Sequence, residues 1–194
     1  VEYTVKEVLE GAAADKYTSV ISGDAGTGFM ITNSHAPETV DIEGTKTWDD
    51  SDNQDGKRPD EITIRLHADG KPADTVTVSA EDNWTWTFTD LPKYAEGREI
   101  VYTITEDAVS GYEPDYEGYN ITNTHTPDKT TVTVTKAWQD GDNQDGTRPE
   151  KVTVKLLANG KDTGKSLTLS EENRWTDVFT DLDEYAAGEK IVYT

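Results

Sequence analysis

The sequence predicts an all-β protein made of tandem Ig-like β-sandwich domains. Three observations predict it. Segments rich in Thr, Val, Ile, Tyr and Trp alternate apolar and polar residues with the period of two that a half-buried strand requires. Turn pairs separate these segments at short intervals, and no convincing amphipathic helix interrupts them. A domain-sized repeat runs through the chain: KTWDDSDNQDGKRP at 46–59 returns as KAWQDGDNQDGTRP at 136–149, a spacing of 90 residues.

In chain order, alternation predicts strands at 40–48, 61–67, 75–79, 84–89, 99–106 and 119–125. Asp69-Gly70, Leu91-Pro92, Glu96-Gly97 and Ser110-Gly111 mark turns between them, as does Asn159-Gly160 in the next copy. Before the first of these strands, 7–17 (EVLEGAAADKY) has the composition of a helical turn, weakened by Gly11.

Further matches show how the repeat is divided. ITNSHAP (31–37) returns as ITNTHTP (121–127), and FTDLPKYAEGREIVYT (88–103) as FTDLDEYAAGEKIVYT (179–194). VEYTVKE (1–7) matches VYTITE (101–106), with Tyr3 opposite Tyr102. The expected organisation is a C-terminal part of one repeat at 1–37, a complete repeat at 38–127 and an N-terminal part of another at 128–194. Residues 1–37 and 128–194 are then complementary halves, and the chain reads as a window on a longer tandem array.

Composition excludes several functions. Among 194 residues, 39 Asp+Glu oppose 18 Lys+Arg, a formal charge of −21. That excess repels phosphate, so nucleic acid is not an expected partner. With no cysteine there is neither a disulfide framework nor a zinc ribbon. His35, His67 and His125 show no short metal-ligand spacing. No apolar run approaches the roughly 18 residues of a membrane span, and no secretion signal is recognisable. Hydrophobic content is only 33%, but 5 Trp and 9 Tyr suffice for small cores.

Alternation also assigns faces. Val40, Ile42, Gly44, Lys46 and Trp48 share the inward face of one strand, and Val132, Val134, Lys136 and Trp138 repeat it. Ile100, Tyr102, Ile104 and Glu106 share another, and Val1, Tyr3, Val5, Glu7 and Leu9 repeat that. Tyr119, Ile121, Asn123 and His125 share the third, matched by Phe29, Ile31, Asn33 and His35. Each inward face thus carries a Lys, a Glu or an Asn, and a buried charge is costly unless paired or neutralised. One reading is a Lys–Glu ion pair with an Asn hydrogen bond, or a lysine that snorkels out at a strand end. The other is covalent: a desolvated lysine amine attacks the Asn side-chain carbonyl, a carboxyl moves the protons, ammonia leaves and an isopeptide remains.

On these residues the sequence resembles the B-type repeat domain of the collagen adhesin Cna (CnaB domains), found in tandem on surface proteins and pilins of Gram-positive bacteria. The resemblance rests on Lys46-Thr47-Trp48 and Lys136-Ala137-Trp138, the D-N-Q-D-G-x-R-P loop, Tyr102 to Glu106 and Tyr3 to Glu7, and I-T-N-x-H around Asn123 and Asn33. It covers essentially the whole chain. It implies a β-sandwich stalk or spacer module with a Lys–Asn isopeptide. By position, Lys46 is the nucleophile, Asn123 the electrophile and Glu106 the acid/base, while the halves divide a second set: Glu7 and Asn33 against Lys136. Glu7 and Asn33 stand 26 residues apart where Glu106 and Asn123 stand 17 apart, an insertion that preserves parity.

Other candidates carry less. Asp50, Asp52 and Asp55 invite a calcium reading, but D-x-D-x-x-D-G is one residue out of EF-hand register and lacks the Glu at position 12. The competing reading is a loop whose Asx side chains bond backbone amides and whose carboxylates pair with Arg58 or, in the next copy, Arg148. Trp84, Trp86 and Phe88 have the parity of a core stripe rather than a sugar platform; Trp175 and Phe179 match them, with Asp177 between. His35 and His125 suit strand-end hydrogen bonds. The expected function is a stalk repeat of an extracellular, wall-anchored bacterial surface protein, with no cofactor and no turnover activity. Its expected partners are adjacent repeats, with any host ligand at a tip outside this chain. A module that itself binds host matrix or glycan, with or without a stabilising cation, is the alternative.

Overall fold

The computed structural model describes residues 1–11 and 14–194. Its strands, in chain order, are β1 (Thr18–Asp24), β2 (Gly28–Ser34), β3 (Thr39–Asp49), β4 (Glu61–Ala68), β5 (Lys71–Ser79), β6 (Thr85–Pro92), β7 (Tyr94–Ala95), β8 (Arg98–Glu99) and β9 (Tyr102–Glu106). They continue with β10 (Glu113–Glu117), β11 (Asn120–Thr124), β12 (Lys129–Thr135), β13 (Lys151–Ala158), β14 (Lys161–Ser170), β15 (Thr176–Asp183), β16 (Tyr185–Ala186) and β17 (Glu189–Lys190). Among the described residues no helix is long and apolar enough to cross a membrane. The helical turn expected over 7–17 falls partly on residues 12 and 13, outside the described ones; of the rest, Ala14–Lys16 form one 3-10 turn.

The architecture is all-β, as expected. A four-stranded sheet has the order β10-β11-β3-β6, and a three-stranded sheet the order β5-β4-β9. The later repeat pairs β12 with β15 and β13 with β14. Turn chemistry sets the hairpins: Asp69 and Gly70 (φ 50° and 76°) join β4 to β5, and Asn159 and Gly160 (φ 48° and 77°) join β13 to β14. Two consecutive left-handed residues make the turn whose twist matches antiparallel strands.

Two sequence expectations need correction. Leu91-Pro92 is no turn: β6 runs through it, and the left-handed residue is Asp90, φ 56°. The strand expected at 99–106 is split, because Glu96-Gly97 closes a small β7–β8 hairpin before β9 begins. β10 had no sequence signal. Glu113, Pro114, Asp115, Tyr116 and Glu117 are all exposed, as suits an edge strand that blunts further pairing with proline and charge.

By its contacts the chain divides into two compact units, Val1–Ile42 with Thr87–Tyr102, and Glu43–Trp86 with Thr103–Thr194. In the first, the β1–β2 hairpin pairs Thr18 with Ser34 through to Asp24 with Gly28. Glu38 accepts from Lys16 and Lys93, and the Tyr102 hydroxyl donates to the Pro92 carbonyl. Ile42, Phe88 and Tyr102 are buried, but Tyr3, Val8, Val20 and Met30 lie open to solvent.

In the second unit Ile62, Ile64, Leu66, Val78, Trp86, Ile104 and Ile121 are buried. Removing each such side chain from water contributes about 1.5–3 kcal/mol. Gly44 lies where a Cβ would collide with the Tyr119 carbonyl and approach the Trp86 indole to 2.6 Å, so only glycine lets that ring lie over β3. The later repeat has its own cluster, Leu156, Phe179 and Leu182, with Val132, Val134, Leu167 and Tyr193 against it.

Candidate functional site

Three strands position the polar residues of the middle repeat. Lys46 lies on β3, Glu106 ends β9 and Asn123 lies on β11. β11 runs parallel to β3, with Ile121 opposite Lys46 and Asn123 opposite Trp48. Parity therefore puts Asn123 on the face that carries Lys46, one diagonal step away. The side chains of Lys46 and Glu106 are 0% and 1% exposed, and Asn123 is 1% exposed.

Lys46 Nζ lies 3.1 Å from Glu106 Oε1, an ion-pair approach without hydrogen-bond alignment. Nζ also stands 4.5 Å from the Trp48 ring centroid. Trp84 and Tyr112 meet Trp48 edge-on at 5.2 and 5.0 Å. Burial pulls the Lys46 pKa below its ordinary value, and the opposing Glu106 charge only partly restores it. The network expected of a purely non-covalent reading is incomplete: both Oδ1 and Nδ2 of Asn123 are buried without a hydrogen-bond partner. Each such orphan costs about 1–3 kcal/mol. Chemically, the cluster combines a desolvated amine, a carboxyl in contact with it and an amide bound by nothing else.

Beside it, the D-N-Q-D-G-x-R-P loop is held by arginine. Arg58 grips Asp50 with two bonds, Nε to Oδ2 at 3.0 Å and Nη2 to Oδ1 at 2.7 Å. The Asn53 amide and the Tyr112 hydroxyl also donate to Asp50. Burial alone would raise the Asp50 pKa, but Arg58, Asn53 and Tyr112 outweigh it and hold it at about 2. The next copy repeats the grip: Arg148 Nε and Nη2 stand 2.9 and 2.7 Å from Asp140, whose pKa is also about 2, chiefly through that arginine. Ser51, Asp52 and Asn53 form a left-handed run, φ 54–59°.

Asp50, Asp52 and Asp55 therefore do not converge as a calcium loop would require, and the cation at Asp50 is Arg58. Among the described residues the one group able to share a metal ion is Asp55, His125 and Asp128. His125 Nε2 is 2.9 Å from Asp55 Oδ2, its Nδ1 2.8 Å from the Gly111 carbonyl, and the Asp128 amide donates to Asp55 at 2.7 Å. Lys57 already sits 2.8 Å from Asp128. His125 makes the strand-end hydrogen bond expected of it, and its contact with Asp55, 70 residues away, has only a recurring Asp and a recurring His as signals in the sequence.

The flanking residues are placed as follows. Asn33 Nδ2 donates to Glu7 Oε1 at 2.8 Å and Ser19 Oγ to Glu7 Oε2 at 2.6 Å, both exposed. Those bonds, Ser19 first, lower the Glu7 pKa. Lys136 Nζ donates to the Ala137 carbonyl at 2.7 Å and lies 4.1 Å from the Trp138 ring centroid. His35 Nδ1 donates to the Lys16 carbonyl at 3.0 Å. Trp86, Phe88, Trp175 and Phe179 are buried, and Trp84 half-buried, so these aromatics are core rather than a sugar platform.

Comparison with known proteins adds the family. The Cna protein B-type domain matches residues 42–124 and again 132–194. A collagen adhesin of Staphylococcus aureus is 47% identical over all 194 residues, which span 16% of that protein's length. The crystal structure of two B repeat units of the collagen-binding protein of S. aureus matches with 46% identity and a TM-score of 0.59, over 100% of this chain and 51% of that one. A single B repeat unit of the same protein is 50% identical over 81% of this chain and 84% of its own, with a TM-score of 0.45.

Proposed function

Because the chain belongs to the Cna protein B-type domain family, we propose that it is a stalk segment of a bacterial surface adhesin, its middle repeat locked by a Lys46–Asn123 isopeptide. As a member of that family it is a structural module, not a turnover enzyme. The observation that carries the locked-stalk reading is the buried contact of Lys46 with Glu106 beside an Asn123 amide that no group satisfies.

The chemistry balances without a co-reactant. Lys46 Nζ, held toward its neutral form by burial, attacks Asn123 Cγ. Glu106 takes a proton from the amine and delivers it to Nδ2. The Cγ–Nδ2 bond breaks, ammonia leaves, and the new amide joins β3 to β11. The complete burial of Lys46, with Trp48 beside its amine, excludes water that would otherwise solvate it.

The stalk reading extends to organisation and place. Residues 1–37, 38–127 and 128–194 are parts of three successive repeats, and each repeat's partners are its neighbours in the array. The array stands outside the cell, anchored to the wall, and any host ligand is met by a tip beyond it. The acid excess keeps the exterior solvated.

Intact mass tests the bond. The folded 194-residue chain weighs one ammonia less than its sequence, and Lys46→Ala or Glu106→Ala restores the full mass. A wild-type chain at full mass rejects the isopeptide.

A further inference from the structure

Asp55 lies in the loop after β3, and His125 and Asp128 lie between β11 and β12. Each offers one ligand atom, and those atoms stand within 4.8 Å of one another. The histidine is set up for a cation. A carbonyl oxygen only accepts, so the 2.8 Å bond from Nδ1 to Gly111 uses the single N–H of a neutral ring. Nε2 then turns a lone pair toward Asp55 Oδ2, a carboxylate oxygen 2.9 Å away. Two acceptors face each other, and only a positive species between them, a proton or a metal ion, makes that approach favourable. An Nδ1–H on a backbone carbonyl with Nε2 free is also the arrangement that orients metal-binding histidines. The Tyr112 ring packs against the imidazole, with centroids 5.3 Å apart.

A second observation concerns the other oxygen of Asp55. The residue is 7% exposed, its side chain is fully buried, and Oδ1 has no hydrogen-bond partner. Oδ2 takes the Asp128 amide at 2.7 Å, which leaves Oδ1 as a buried anionic acceptor that nothing satisfies. Lys57 is the nearby cation, 2.8 Å from Asp128 Oδ2, but at 4.0 Å from Asp55 Oδ2 it makes no hydrogen bond there. Its side chain is 37% exposed, with room to swing into solvent. The same residue types recur at the spacing of the repeat, as Asp145 to Asp55, His35 to His125 and Glu38 to Asp128.

We propose that Asp55, His125 and Asp128 bind a divalent metal ion of the zinc class. One imidazole nitrogen with two carboxylates suits zinc, whereas calcium and magnesium take oxygen ligands. Zinc holds such ligands at about 2.0–2.2 Å, so the three groups draw together on binding. The Asp128 side chain, 44% exposed, supplies that movement by rotating as Lys57 leaves it. The ion takes the place of a proton between Nε2 and Asp55, and Oδ1 gains a cation beside it. Water completes the coordination. The ion thereby ties the loop after β3 to the segment that leads into β12. The site uses neither Lys46 nor Asn123, so it stands apart from the isopeptide.

The experiment titrates zinc chloride into the chelator-treated 194-residue chain by calorimetry and follows cobalt(II) by visible absorption. The expected result is one tight site per chain, a cobalt spectrum of tetrahedral type, and a melting temperature that rises with the logarithm of zinc concentration. His125→Gln and Asp128→Asn each weaken binding by at least ~10-fold. Among the described residues the Asp128 carboxylate bonds only Lys57, so Asp128→Asn keeps the fold. Lys57→Ala removes the competing charge and tightens binding. His35→Gln leaves binding unchanged, which separates this cluster from the scattered acids of a chain with 39 Asp+Glu. Equal affinity in the wild type, His125→Gln and Asp128→Asn overturns the proposal, since the ion then sits on surface acids and a proton bridges His125 to Asp55. Absence of zinc binding overturns it too, as does weaker binding by Lys57→Ala, which would make the lysine the cation this cluster is built around.

Discussion

Lys46 sits where its charge is least welcome, and that placement governs its chemistry. Its side chain is fully buried against Trp48, with one carboxylate contact. Glu106→Gln keeps the shape and removes the proton carrier. It is expected to leave the mass at full value and to lower the melting temperature, read by intact mass and calorimetry on one sample. Asp50 shows the opposite solution, a buried acid held ionised by Arg58. With a folded pKa of about 2 against about 3.9 unfolded, it contributes about 2–3 kcal/mol, fully present above the unfolded value and lost as pH falls toward 2. Asp50→Asn is expected to destabilise the chain at neutral pH. It should also flatten the loss of stability between pH 5 and pH 2, measured by denaturant titration at each pH; an unchanged pH slope refutes the assignment.

Among the elements, β3 makes the most demands. Its alternate residues are buried from Ile42 through Lys46, and Gly44 is the point of closest approach to Trp86 and Tyr119. Gly44→Ala inserts a methyl where backbone and indole leave no room, and is expected to cost about 1–3 kcal/mol or more in a denaturant midpoint. A cost below 0.5 kcal/mol would show that β3 can shift. The loop after β3 was legible as a loop because D-N-Q-D-G repeats, but its partners were not. Asp50 finds Arg58 locally and Tyr112 from 62 residues away. In β10 the reverse holds: an exposed edge strand needs no apolar alternation, so its sequence carries no strand signal.

At the scale of the molecule, the proposed bond would tie residues 46 and 123 and enclose most of the middle repeat. By the chain-entropy argument used for long disulfide loops, that closure removes about 4 kcal/mol of freedom from the unfolded chain. Lys46→Ala is therefore expected to lower the melting temperature by on the order of 20 °C and to admit trypsin into the middle repeat. The junction after β11 adds a smaller lock, in which Lys57 and His125 gather Asp55 and Asp128, and Gly188 N donates to the Gln54 carbonyl at 3.0 Å. Gly56 approaches Gly188 so closely that a Cβ on Gly56 would stand 2.6 Å from its Cα. Gly56→Ala is expected to raise hydrogen exchange at the Gly188 amide, and unchanged protection there would show that the contact is dispensable.

Local pattern alone determined the all-β class, the repeat and the inward parity of Lys46, Glu106 and Asn123, because side-chain direction along a strand follows from a period of two. The tertiary structure decided which inward groups meet. It set β11 parallel to β3 with Ile121 opposite Lys46, brought Glu106 to 3.1 Å, gave Asp50 to Arg58 and Asp55 to His125, and left the amide of Asn123 without a hydrogen bond. Those outcomes depend on strand order and crossover between residues tens of positions apart, and alternation within a strand carries no information about its neighbour.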